Sequence, residues 1–230
     1  MNQQLALAVQ LKETASFGEF FWGRNRLIEQ QIKNTLTQHG ERFIYLWGPS
    51  GHGKSHLLQA CCHAAMHHES AVYLPLTILK DWEPDVLDGM EHQDILCLDD
   101  VDAIAGITAW EEALFHLYNR IRDNERTRCF LSASMPPSQT NILMPDLKSR
   151  LSWGLVLAIQ ELSDEEKSEA LILHAKKRGF KLPVSVCQFL INRCARNMHE
   201  LQEILNRLDE ASLIEMRKIT IPFVKNILGL

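Results

Sequence analysis

Phe43-Ile44-Tyr45-Leu46-Trp47-Gly48-Pro49-Ser50-Gly51-His52-Gly53-Lys54-Ser55 is the stretch that decides the fold. Its opening run, through Trp47, is short, apolar and rich in aromatic and β-branched residues, as suits a buried parallel strand. Gly48 to Ser55 satisfy G-x-x-x-x-G-K-[ST], and the stretch from His56 to Met66 has helical spacing. Strand, glycine loop and helix in this order are the context in which such a loop grips phosphate. Glycines let the chain curl so that its N–H groups face phosphate oxygens, and the helix adds the positive end of its dipole. The expected phosphate contacts are Pro49, Ser50, Gly51, His52, Gly53, Lys54, Ser55 and His56. Lys54 should reach the β- and γ-phosphates, and Ser55 should ligate Mg²⁺.

On either side of this stretch, strands alternate with helices. Strands are expected at 42–47, 71–75, 94–98, 128–133 and 154–159, after a helix near Leu27–Leu36. Between the third and fourth strands, Trp110, Ala113, Leu114, Leu117 and Ile121 recur at helical spacing. The pattern predicts an α/β fold with a parallel five-stranded sheet between helices. After Gln160 the strands stop. Ser163-Asp164-Glu165-Glu166 is a capping box opening a helix that ends at Gly179. Further helices are expected at about 183–195 and 197–216, and Thr220-Ile221-Pro222 opens a terminal one. The expected domains are a flexible peptide at 1–15, a nucleotide-binding core at 16–160 and a small helical lid at 161–230.

Asp94-Ile95-Leu96-Cys97-Leu98-Asp99-Asp100 is an apolar strand that ends in paired carboxylates. Phosphoryl transfer needs one carboxylate to hold Mg²⁺ and a second group to orient the attacking water. Asp99 suits the first role and Asp100 the second. Ser134, at the end of the following strand Phe130-Leu131-Ser132-Ala133, is placed to sense the γ-phosphate or hold the water.

Composition narrows the class further. The chain has 230 residues, 46% of them hydrophobic, enough for a large core. Its apolar runs fall short of the roughly 20 residues of a membrane span, and the N-terminus lacks a basic n-region. Six cysteines without a C-x-x-C pair predict reduced core residues and a cytoplasmic chain. His63 and His67, at i,i+4 spacing, are expected to share a helix face and not to bind metal. A formal charge of −5 argues against a large basic surface for duplex DNA.

Other stretches resemble a known family. Pro145-Asp146-Leu147-Lys148-Ser149-Arg150-Leu151-Ser152-Trp153-Gly154-Leu155 resembles the segment of DnaA-like AAA+ ATPases that carries the arginine finger, with Arg150 at the finger position. Phe20-Phe21-Trp22-Gly23-Arg24-Asn25 is similar to the segment that cradles the base in this branch. The resemblance covers residues 16 to about 215. The sequence stops at Leu230, where DnaA itself would continue into a basic helix-turn-helix domain; this matches the short regulatory members of the branch, as does Thr220-Ile221-Pro222-Phe223-Val224-Lys225. Gln4-Leu5-Ala6-Leu7-Ala8-Val9 looks like the Q-L-x-L-x-[LFV] peptide that docks on the β sliding clamp, through Gln4, Leu5 and Leu7. His199 stands where the branch usually places an arginine, the second sensor, and Arg196 is the alternative for that role. A histidine is only partly charged near neutral pH, so weak or no turnover by the chain alone is expected.

The resemblance implies a nucleotide-binding regulator of replication initiation. With the clamp loaded on DNA, it would stimulate hydrolysis of DnaA-bound ATP and prevent re-initiation. Its partners would be DnaA and the clamp, with DNA met mainly through the clamp and no membrane. Its cofactors would be ADP or ATP, with another nucleoside diphosphate left open, and Mg²⁺. Whether the chain forms a homo-oligomer is also left open. The competing readings are a DnaC-like helicase loader and a self-sufficient AAA+ ATPase.

Overall fold

In the computed structural model the described residues are 11, 15–66, 68–194 and 197–230. They fall into two compact units that divide at Ile159–Gln160. Phe21–Arg24 and Gly51–Gly53 group with the second unit, and the described residues before Gln160 otherwise form the first.

The first unit is built on a parallel sheet of β1 (Phe43–Trp47), β2 (Ala71–Pro75), β3 (Ile95–Asp99), β4 (Arg128–Ala133) and β5 (Leu155–Ala158). The strand order is β2-β3-β4-β1-β5. β3 and β4 are buried at every position, which is why they carry almost unbroken apolar runs instead of alternating ones. Three longer helices belong to this unit: α1 (Arg26–Leu36), α2 (Lys54–Ala65) and α4 (Thr108–Asn124). Two shorter ones are α3 (Leu76–Leu79) and α5 (Pro145–Leu151). α4 buries Trp110, Leu114, Leu117, Tyr118 and Ile121 against a core that includes Tyr45, Leu98 and Leu131. Burying such a side chain is worth about 1.5–3 kcal/mol.

The second unit holds α6 (Asp164–Lys177), α7 (Val184–Arg193), α8 (Met198–Glu215) and α9 (Ile221–Leu228). Its core joins Leu171, Leu190, Leu205 and Phe223. The helix starts follow capping chemistry. Ser163 accepts from the Glu166 N–H while Glu166 accepts from the Ser163 N–H, a reciprocal box. Asn197 caps α8, and Thr220 caps α9 with a proline in the first turn.

Candidate functional site

The loop between β1 and α2 is shaped by glycine. Gly51 and Gly53 have φ of +82° and +89°, a region where a Cβ is strained, so the curl depends on both. Lys54 starts α2 and is buried; its Nζ donates to the Gly48 carbonyl at 2.7 Å and the Pro49 carbonyl at 3.1 Å. The two bonds draw the ammonium group against the loop it follows. His56 on α2 donates from Nε2 to the Ser16 carbonyl at 2.8 Å, which requires the proton on that nitrogen. Its ring lies 5.8 Å from that of Phe20. Two residues of the expected base pocket and phosphate loop are thus brought together.

Phe21, Trp22 and Gly23 belong to the second unit. There Arg24 donates from Nε to Glu166 Oε2 at 2.9 Å, and Gly23 packs against Leu162 and Glu166. Gly51 lies against Asn197, the cap of α8. His199 is exposed on α8 and pairs with Glu203 at 3.3 Å. Gln4, Leu5, Leu7, His67 and Arg196 lie outside the described residues.

At the end of β3, Asp99 is buried and accepts the Tyr73 hydroxyl at 2.5 Å on one oxygen and the Ser132 hydroxyl on the other. Ser132 in turn accepts the Asp100 N–H at 2.9 Å. Asp100 takes a left-handed conformation, φ +56° and ψ +57°, which aspartate tolerates better than most residues. Burial, and then the neighbouring Asp99 charge, push its carboxyl above the usual range. Burial and the Asp99 charge likewise push the Tyr73 phenol up, while Gln59 and Ser55 hydrogen-bond to it. The Ser134 side chain is exposed and donates to Asp102, as does its N–H at 3.1 Å.

Ser55 and Asp99 supply the hard oxygen donors that Mg²⁺ takes. Among the described residues each Asp99 oxygen accepts one hydrogen bond, which leaves a lone pair for metal-bound water. The residues fit the ion, with Tyr73 bridging them.

Arg150 lies in the last turn of α5. Its Nε donates to Asn119 Oδ1 at 3.1 Å, and its Cζ lies 3.8 Å from the centroid of the Trp153 ring. Phe115 is 5.7 Å away. The chain leading into α5 is tied down by Glu111, a buried carboxylate on α4. Its oxygens accept the N–H groups of Gly106, Leu143 and Met144 at 2.7–3.0 Å. α5 is thereby fastened to α4 and to the loop after β3.

Tyr73, Ser132, Asp102, Glu111, Asn119 and Asn197 carry no motif, and Trp153 lies in the Arg150 segment without a role of its own there, yet all seven organise these places. Ser132 had a readable signal: a hydroxyl inside an otherwise apolar strand needs a buried partner. The five cysteines Cys61, Cys62, Cys97, Cys129 and Cys187 are free and buried. Among the described residues no group of histidine, cysteine or acidic side chains is arranged to hold a metal on its own, and no helix is long and apolar enough to cross a membrane.

Comparison with known proteins agrees with this architecture. Domain III of the Thermotoga maritima replication initiation protein DnaA is 20% identical, with a TM-score of 0.81 over 96% of this chain and 98% of that one. AMPPCP-bound DnaA from Aquifex aeolicus is 23% identical, with a TM-score of 0.77 over 89% of this chain and 68% of that one. A replication initiator DnaA bound to AMPPCP and single-stranded DNA is 22% identical, with a TM-score of 0.74 over 90% and 69%. At such identities these likenesses show the fold. Sequence matching goes further: residues 164–228 match the lid domain of Hda, and residues 11–158 match the bacterial DnaA ATPase domain. The chain therefore belongs to the bacterial DnaA ATPase-domain family, as an AAA+ protein related to DnaA and Hda.

Proposed function

We propose that this chain binds an adenine nucleotide and acts in trans on ATP-bound DnaA, stimulating hydrolysis and so restraining replication initiation. The observation that carries the reading is the state of Arg150. Its Nε is engaged by Asn119 and its face by Trp153, while its terminal NH₂ groups have no hydrogen-bond partner among the described residues. A guanidinium held in that way keeps the donors that clasp a phosphoryl oxygen.

The chain's own nucleotide would be held by the loop from Gly48 to Ser55. Lys54 would exchange its loop carbonyls for phosphate oxygens, and the N–H groups at the start of α2 would face the same charge. Ser55 and Asp99 would hold Mg²⁺, which when bound neutralises charge between the phosphates. Asp100 would orient water, and Ser134 would be the γ-phosphate sensor only after leaving Asp102. The AMPPCP-bound DnaA structures support nucleotide binding by this fold. With His199 in place of an arginine, turnover by the chain alone would be weak. Gln4, Leu5 and Leu7 would tether the chain to the DNA-loaded clamp, so DNA is met indirectly in the cytoplasm.

The test is Arg150→Ala, with DnaA-bound ATP turnover measured on clamp-loaded DNA. A finger supplied in trans is worth about 10³–10⁵ in rate, so the variant should lose nearly all stimulation. Its own ADP affinity and its melting temperature should stay at wild-type values. Full stimulation by Arg150→Ala would refute the reading, whereas Lys54→Ala should lose the chain's own nucleotide.

A further inference from the structure

A finger that acts on another molecule faces a physical conflict. A long arginine left unrestrained must be ordered during the reaction, at a cost in side-chain entropy. Restraint by a carboxylate would neutralise the charge and occupy the NH₂ groups that the reaction needs. Arg150 avoids both outcomes, since no carboxylate among the described residues forms a salt bridge with it, and the flat face of Trp153 lies 3.8 Å from its Cζ. We infer that Trp153 is a positioning residue for Arg150: it orients the guanidinium by stacking and leaves the terminal donors uncommitted. The inference rests on the proposed action of Arg150 in trans.

The indole differs from that of Trp110 in its surroundings. Trp110 is 1% exposed and belongs to the core, whereas Trp153 is 48% exposed. Its position is nevertheless fixed on both sides. The Trp153 backbone N–H donates to the Arg150 carbonyl at 3.0 Å, closing the turn after α5. Gly154, the next residue, passes so close to β1 that an added Cβ would lie 2.2 Å from the Phe43 carbonyl oxygen. Only glycine permits that approach, which fixes the backbone beside the ring. A second guanidinium, that of Arg122, lies 5.1 Å from the same ring. The ring is therefore presented to cations on a rigid backbone, which is the arrangement a cation–π contact needs.

The experiment compares Trp153→Phe, Trp153→Leu, Trp153→Ala and Arg150→Ala in the stimulated hydrolysis of DnaA-bound ATP, titrating each variant. Trp153→Ala should lower the maximal rate about tenfold with the half-saturating concentration unchanged. Trp153→Phe should restore most of the rate, because it keeps an aromatic face. Trp153→Leu, which keeps apolar bulk without that face, should not. Equal rates for the Phe and Leu variants would overturn the inference, and these two decide the matter even if the Ala variant fails to fold. A raised half-saturating concentration with an unchanged maximal rate would also overturn it, making Trp153 a docking contact. An inactive Arg150→Ala beside a fully active Trp153→Ala would sink the inference alone. A fully active Arg150→Ala would sink the trans reading on which it rests.

Discussion

At the end of β3, Asp99 has both oxygens engaged, by Tyr73 and Ser132, and Ser132 also receives the Asp100 N–H. At the end of α5, Arg150 is oriented by one bond to Nε and by a ring face. The first arrangement closes on itself, and its hydrogen bonds belong to the stability of the fold. The second leaves its strongest donors available. Under the proposed function, the difference separates a charge that organises its own site from one that acts on a partner. Substitutions at β3 should therefore change folding free energy, whereas those at the tip of Arg150 should change rate.

The comparison breaks most severely at Glu111, which ties the segment before α5 to α4. Glu111→Gln replaces one acceptor oxygen with an NH₂ group facing N–H donors in a buried place. The loss should be about 3 kcal/mol in urea denaturation, near the upper end for an orphaned buried polar group. An unchanged stability would show that α5 is anchored by something else.

Ser132→Ala sharpens the other side. It removes the donor to Asp99 and the acceptor for Asp100 N–H, and should cost about 2 kcal/mol. Stimulation by the folded variant should persist, because Arg150 lies outside this network. A variant as stable as wild type but unable to stimulate would reverse the assignment of the two ends.

The smallest effect belongs to the opposite end of β3. Asp94 accepts the Ser70 N–H and hydroxyl, each at 2.9 Å, and pairs with Arg126. The Ser70 N–H foremost, with these other donors, holds its carboxyl down at about 2, from an ordinary 3.8. A depressed folded value means stability that is present above pH 3.8 and lost as pH falls through about 2. Ser70→Ala keeps the N–H bond but removes the hydroxyl, so the folded value should rise toward 3.8 and the contribution should shrink. Denaturation curves at pH 5 and pH 3 would show a smaller drop for the variant; parallel curves would contradict the assignment.

The phosphate loop and the five strands were legible because each depends on local pattern. The glycines of Gly48–Ser55 and the apolar runs of β3 and β4 announce themselves within a few residues. Strand order was not legible, because parallel pairing carries no local signal and β4 enters between β3 and β1. Tyr73 illustrates the same limit at a site. In Ala71-Val72-Tyr73-Leu74-Pro75 it reads as one more β-forming residue, and only the pairing of β2 with β3 brings its hydroxyl to Asp99. Trp153 was hidden for a related reason. Its spacing from Arg150 was visible, but no local pattern tells that the turn after α5 closes with the ring against the guanidinium. The short helix α3 lacks the length from which periodicity can be measured.

The place of β4 also has a consequence for how the chain is born. β1 pairs with β4 and β5, and β3 pairs with β2 and β4, so β1 and β3 never touch as strands. A nascent chain that has emerged as far as Thr127 contains the glycine loop and the Asp99 strand, yet lacks the strand that joins them. Closing the sheet waits for Arg128–Ala133, a pairing distant in sequence from Phe43–Trp47 and therefore slow to find. Until then the edges of both partial sheets stand open to other chains, and synthesis itself becomes the interval in which this protein is most exposed to mispairing.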